Sequence, residues 1–235
     1  MKKIILLFNF IISTLFADQL IVSTNKCDQN ITHHRLFICY NYKTKVANYI
    51  TYYATANEVA QSAKRLYFKE DTSIPEEYRA YLTDYYNSGY DRFHIAPDNI
   101  MDFNHTFLAD TYLLSNIAPG DSYVNRYRWT IIERDETFFY IEHNESTSFS
   151  ITGTIFPVQG NFKTIGEHKI GVPEYFYKCF FSRSTNPLLI YDYKCYLMPN
   201  KKALVYPYKN LKYYQVSLEL IKMLTGLTIR FEVGE

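Results

Sequence analysis

The run Asp91-Arg92-Phe93-His94 is followed by Ala96-Pro97, then by Ser115-Asn116-Ile117-Ala118-Pro119 and by Asn125. An imidazole, a guanidinium and two amides at such short separation suit hydrolysis of a phosphodiester with a single hard metal ion. In-line attack by water needs a base for the nucleophile, a cation for the charge of the pentavalent phosphate, and help for the leaving 3′ oxygen. His94 can be the base, because an imidazole titrates near neutrality. Arg92 offers a planar fork that can neutralise the scissile phosphate, which a lysine would not reproduce. Mg2+ prefers oxygen donors and keeps much of its water, so one amide oxygen plus waters is a chemically reasonable site, and Mn2+ could replace it. Asp91 is expected to orient the turn.

Asn125, Trp129 and Glu133 stand at i, i+4 and i+8 and so lie along one slowly drifting helical stripe. At ~1.5 Å per residue, Glu133 sits about 12 Å along a regular helix from Asn125. Glu133 is therefore expected to hold metal-bound waters or an arginine instead of sharing the ion directly. Read alone, the same stripe is a Trp129 core anchor between two solvated polar residues.

Taken together, these landmarks resemble the DNA/RNA non-specific endonucleases of the ββα-metal type, a group that includes endonuclease G and secreted bacterial nucleases. That family carries Asp-Arg-Gly-His, then Ser-Asn-Ile-x-Pro-Gln, then an Asn four residues before a Trp and eight before a Glu, a spacing that Asn125, Trp129 and Glu133 reproduce. Asn116 keeps the family's nine-residue separation from Asn125, and Gly171-Val172-Pro173, Phe176-Tyr177-Lys178, Ser217-Leu218 and Thr225-Gly226-Leu227 look like its later landmarks. The resemblance implies Asn125 as the metal ligand, His94 as the base, and Arg92, Asn116 and Glu133 beside them. Arg65 and Arg128 are lower-ranked phosphate contacts. It implies DNA and RNA as substrates, Mg2+ or Mn2+ as cofactor and 5′-phosphate products.

Three positions depart from the family pattern. Phe93 stands where the family has Gly, Gly120 replaces the usual Gln, and Thr137 falls where an arginine is common. A glycine can serve conformational freedom or close backbone approach. Two alternatives therefore stay open: a nucleic-acid-binding or interaction protein descended from this family with impaired catalysis, and an enzyme confined to a narrower substrate such as single strands.

The elements must place these residues on one core. A chain of 235 residues, 47% hydrophobic, is sized for one domain, expected over 18–235. Residues 1–17 read as a secretory signal peptide, with Lys2 and Lys3 as the basic start, Ile4 to Ile12 as the apolar stretch and Ala17 at the cleavage site. That stretch is too short to span a bilayer as a mature helix, so no stable membrane insertion is expected after cleavage, and the expected location is periplasmic or secreted. Export favours disulfides among the four cysteines. Four allow three pairings, of which Cys27–Cys39 and Cys179–Cys195 close the shortest loops. No Cys-x-x-Cys spacing occurs, which argues against a zinc site.

Without Lys2 and Lys3 the chain carries 23 basic against 24 acidic residues. A polyanion must then be attracted by a local groove, for which Lys64, Arg65, Arg92, Arg126, Arg128 and Arg134 are candidates. No base-reading element is visible, so contact with phosphates independent of sequence is expected, although exposed tyrosines can stack on unpaired bases. The sequence leaves a homodimer open.

Extended segments are expected at Leu20 to Ser23, Leu36 to Tyr42, Val46 to Thr55, Phe138 to His143, Phe149 to Phe156, Lys169 to Phe181 and Leu188 to Leu197. Helices are expected from Ser73-Ile74-Pro75-Glu76 through Tyr85, from Asn125 to Glu136, and from Tyr214 to Leu224 with Gly226 as its end. Strands on both sides of a helical insertion predict an α+β fold, a mixed and largely antiparallel sheet with packed helices and a ββα-metal motif. Finally, Asn30, Asn104 and Asn144 each begin an Asn-x-Ser/Thr site with an acid two residues earlier. This looks like the extended acceptor of bacterial periplasmic oligosaccharyltransferases, and the bland alternative is coincidence in a polar chain.

Overall fold

A computed structural model describes residues 18–24, 26–59, 61, 64–157, 161–186, 188–202 and 210–234. The expected signal segment, 1–17, lies outside them. Before the catalytic run come strands β1 (Gln19–Ser23), β2 (Gln29–His33), β3 (Leu36–Asn41) and β4 (Val46–Ala54). The run itself is β5 (Asp91–His94), followed by helix α1 (His105–Thr111), β6 (Ile117–Gly120) and α2 (Thr130–Glu142). Then follow β7 (Ser148–Ile155), β8 (Thr164–Ile165), β9 (Ile170–Gly171), β10 (Tyr175–Arg183) and β11 (Tyr191–Pro199). The chain closes with β12 (Gln215–Val216), α3 (Leu218–Thr225) and β13 (Thr228–Glu232).

Seven strands form one sheet in the order β12-β11-β10-β7-β4-β3-β2, and every ladder in it is antiparallel. Alternation along β10 explains how one apolar run serves two cores. Phe176 and Phe180 pack on the side that carries α2 and the catalytic run, whereas Tyr177, Cys179 and Phe181 pack on the other. That second face is covered by α3 and by the β1–β13 pair, which joins Gln19 to Glu232. Among the described residues no helix is long and apolar enough to cross a membrane.

Both disulfides form as expected. Cys179 and Cys195 face each other directly across β10 and β11, and Cys27 closes onto Cys39 of β3. Ser217 caps α3 by accepting from Leu220 N, and Gly226 ends it at φ +71°, a left-handed conformation suited to glycine.

Two expected elements are corrected. The helix through Tyr85 is replaced by two short 3₁₀ turns, Glu76–Tyr78 and Leu82–Tyr85, with Arg79 and Tyr81 extended between them. Side chains take over the backbone groups there: Arg79 donates to the carbonyls of Ile74 and Thr72, and Asp84 accepts from Tyr81 N. The strand at Phe138 to His143 is instead the end of α2. Ile132, Glu136, Phe139 and Tyr140 follow the helical period into the core, and this outweighs the β propensity of the aromatic run.

Candidate active site

β5 and β6 pair antiparallel, with Phe93 opposite Ala118 and His94 opposite Ile117. Alternation turns Phe93 into the core and leaves Arg92 and His94 for a cleft of about 680 Å³. Arg65, Arg92, His94, Asn125 and Glu133 all line this cleft, together with Asp98 and Thr130. Five of the seven residues expected to form the site or touch phosphate are thus brought together.

His94 lies between the rings of Phe68 and Tyr112, with centroids 5.2 and 5.0 Å away. Its Nε2 is buried and makes no hydrogen bond. Burial pushes its pKa down to about 4, helped by the positive charges of Arg65 and Arg92 and opposed by the negative charge of Asp98. The imidazole is therefore neutral at pH 7, the protonation state a general base requires. Arg92 is exposed, with its guanidinium 4.8 Å from the Phe68 ring.

Asn125 sits in a π-type turn, Val124–Trp129, through which the chain enters α2. Asp121 starts this turn by accepting from the amides of Tyr123 and Val124. Asp91 then fixes the side chain of Asn125: one carboxylate oxygen accepts from Asn125 Nδ2 at 3.1 Å, and both accept from Arg126 at 2.7 Å. A carboxylate only accepts, so the amide nitrogen is held on Asp91 and the amide oxygen is left for the cleft. Asp91 thus orients the Asn125 amide as well as the turn. Arg126 is held in this pair and is not a free groove cation.

Glu133 also reaches the cleft, because the π turn and the length of α2 set both polar residues along one wall. Burial pushes its carboxyl up to about 7; Lys178 and Arg65 oppose this, while the charges of Asp98 and Glu136 add to it. Beneath it, Lys178 and Glu136 form a fully buried ion pair, with the Tyr52 hydroxyl donating to Glu136 at 2.7 Å and Lys178 donating to Tyr52 at 2.9 Å. Thr137, in the family's arginine position, accepts from Asn99 Nδ2 at 3.0 Å and so ties α2 to the turn that carries Asp98.

Two expected site residues do not line the cleft. Asn116 is fully buried: its oxygen accepts from Ala96 N at 2.8 Å, and its nitrogen donates to the carbonyls of Ala96 and Thr111, each at 2.9 Å. It clamps the loop after His94 and has no group left for substrate, so of the two contacts expected of it, with the loop or with substrate, the structure supports the first, a positioning role. Arg128 is buried as well, with its guanidinium 5.0 Å from the Tyr123 ring and bonded to the Tyr123 hydroxyl. It packs the π turn away from the cleft, which removes it as a phosphate contact. Asn30, Asn104 and Asn144 are all exposed, and Asn104 caps α1 by accepting from Thr106 N and Phe107 N.

Asp98 was not anticipated. It accepts from the Tyr112 hydroxyl at 2.8 Å and acts electrostatically on both His94 and Glu133. Its place one turn after His94, beyond Ala96-Pro97, is the sequence signal that could have found it.

The departures at 93 and 120 explain each other. Phe93 takes ordinary strand geometry, stacks on Phe176 at 3.7 Å between centroids and lies 5.0 Å from Trp129. A Cβ added to Gly120 would stand 2.7 Å from Phe93 Cβ. The ring thus occupies the volume that a side chain at 120 would need.

Comparison with known proteins gives a consistent picture. A profile of the DNA/RNA non-specific endonuclease family matches residues 17–234. Human mitochondrial nuclease EXOG is 29% identical over 83% of this chain and 55% of its own length, and human mitochondrial endonuclease G is 26% identical over 81% and 65%. The chain therefore spans about half the length of the first of these relatives. A crystal structure of the EndoG/EndoGI complex superposes with TM-score 0.75 at 25% identity, over 85% of this chain and 84% of that one. One expectation is corrected: relatives from human, mouse and Caenorhabditis elegans are named as mitochondrial, which speaks against the expected bacterial periplasmic or secreted setting.

Proposed function

This chain belongs to the DNA/RNA non-specific endonuclease family, and from that premise we propose that it is a metal-dependent endonuclease hydrolysing phosphodiester bonds of DNA and RNA without sequence preference. The observation that carries the reading is a neutral His94 in one cleft with Arg92 and with an Asn125 whose amide nitrogen is held by Asp91, leaving its oxygen as a donor. His94 takes the proton of the attacking water. Arg92 and Arg65 neutralise the phosphate oxygens. Asn116 keeps the His94 loop in register, and Asp91 keeps Asn125 turned toward the cleft.

The donor set fits a hard divalent cation. Asn125 would hold Mg2+ or Mn2+ through its amide oxygen, and Glu133 would accept hydrogen bonds from waters around it. Glu133 lines the same cleft as Asn125, which supports this. When bound, the ion stabilises charge on the phosphate and the leaving oxygen. We further propose that residues 18–235 form one domain behind a cleaved segment 1–17.

The test is incubation of the purified chain with plasmid DNA and with RNA, in magnesium, in manganese and in chelator. Cleavage of both polymers that stops in chelator is expected, with His94→Ala slower by roughly 10² to 10⁴. Near-wild-type turnover by His94→Ala would overturn the mechanism.

A further inference from the structure

The cleft is lined by two chemically different sets of residues. Arg65 and Arg92 suit phosphates, whereas Leu82, Tyr85, Tyr86, Asn87 and Tyr90 bring no cation and offer mainly apolar and aromatic surface.

These three tyrosines differ in what they can offer. Tyr85 is 7% exposed and belongs to the core, and Tyr90 has the Lys163 ammonium 4.9 Å from its ring. Tyr86 is 80% exposed. It is also held in place by its turn: Asn87 and Gly89 have φ of +53° and +80°, and Ser88 Oγ donates to Tyr85 O and accepts from Tyr90 N. A side chain presented this way loses little backbone freedom when it binds.

We propose that Tyr86 is a stacking platform for an unpaired base, so that the cleft favours single-stranded or locally opened nucleic acid; this rests on the phosphodiesterase reading above. In a duplex each base face is covered by its neighbours, and a ring at the edge of a backbone-binding cleft meets only sugar and phosphate. In a single strand the base can turn onto the tyrosine while a neighbouring phosphate meets Arg65 or Arg92 of the same cleft.

The experiment compares one labelled oligonucleotide, alone and annealed to its complement, with the full chain in magnesium. Base stacking on an aromatic ring is worth enough for Tyr86→Ala to lower the single-strand to duplex ratio of kcat/KM by about 5- to 100-fold. Tyr86→Phe keeps the ring and should keep the ratio. An unchanged ratio in Tyr86→Ala, or an equal fall in Tyr86→Phe, overturns the proposal. If the wild type cleaves neither form, the hydrolytic reading fails, and fluorescence anisotropy of the single strand in chelator then decides. Binding weakened in Tyr86→Ala supports the platform, and equal binding refutes it.

Discussion

Replacing Phe93 by the glycine of the family pattern should make this protein worse. The ring is fully buried, stacked on Phe176 and in contact with Trp129 of the π turn, so it connects the strand carrying His94 to the segment carrying Asn125. Truncating a buried Phe to Ala costs about 3–5 kcal/mol, and a glycine in a strand adds about 0.5–1 more. The expected loss of about 4–6 kcal/mol is a large part of a typical total of about 5–15. For a chain of this size it corresponds to a Tm lower by about 10–20 °C. Gly120→Gln alone should also destabilise, by about 1–3 kcal/mol, because its Cβ meets Phe93. The two changes together should lose at least about 1 kcal/mol less than the sum of the singles, since each removes the other's defect. Urea unfolding of the four proteins, with plasmid nicking measured well below each Tm, gives the cycle. A Phe93→Gly variant that is as stable as the wild type, or markedly faster, would refute the reasoning and mark Phe93 as an inhibitory substitution.

Asn125→Ala should abolish magnesium activation, whereas Glu133→Ala should leave activity that returns in part at higher magnesium, because it acts through misplaced waters; rate against magnesium concentration separates them. Removing the Cys179–Cys195 bridge by paired serine substitution should cost about 3 kcal/mol in urea unfolding, and peptide mapping without reductant should recover both pairings found here. The His33–Asp71 ion pair predicts a pH effect on stability. The bond to Asp71 raises the His33 pKa against the opposing effect of burial, so its contribution is complete below the ordinary value of 6.5 and is lost as pH rises through the raised value. Unfolding free energy should therefore fall as pH rises above 6.5 in the wild type and fall less in His33→Gln.

Much of the site was legible because its residues are local in sequence. Arg92 and His94 share a strand face by alternation, and Asn125 and Glu133 share one side of a helical segment, so spacing alone could group them. The disulfides were legible through short loops. What escaped depends on direction or on distant partners. Nothing in Ser115-Asn116-Ile117 states that the amide turns inward to Ala96 and Thr111, and nothing near Arg128 states that it folds onto Tyr123. The complementarity of Phe93 and Gly120 required the β5–β6 register. Lys178 reads as the polar interruption of an apolar strand, and its partners Glu136 and Tyr52 come from α2 and β4.

The pairing of β1 with β13 sets a timetable for the nascent chain. Gln19 leaves the ribosome early but has no partner until Glu232 follows, which at about 5–20 residues per second takes roughly 10–40 s. The cleft residues, from Arg65 to Glu133, and the supporting strand β10 are all made within that interval. A ribosome that stalls before Thr228 therefore releases a chain with the whole cleft sequence but an unsealed apolar back to its sheet, where Tyr177, Cys179 and Phe181 lack the cover of Ile229 and Phe231. Strand β13 thus separates a molecule whose second sheet face is fully covered from one that shows part of that face to quality control.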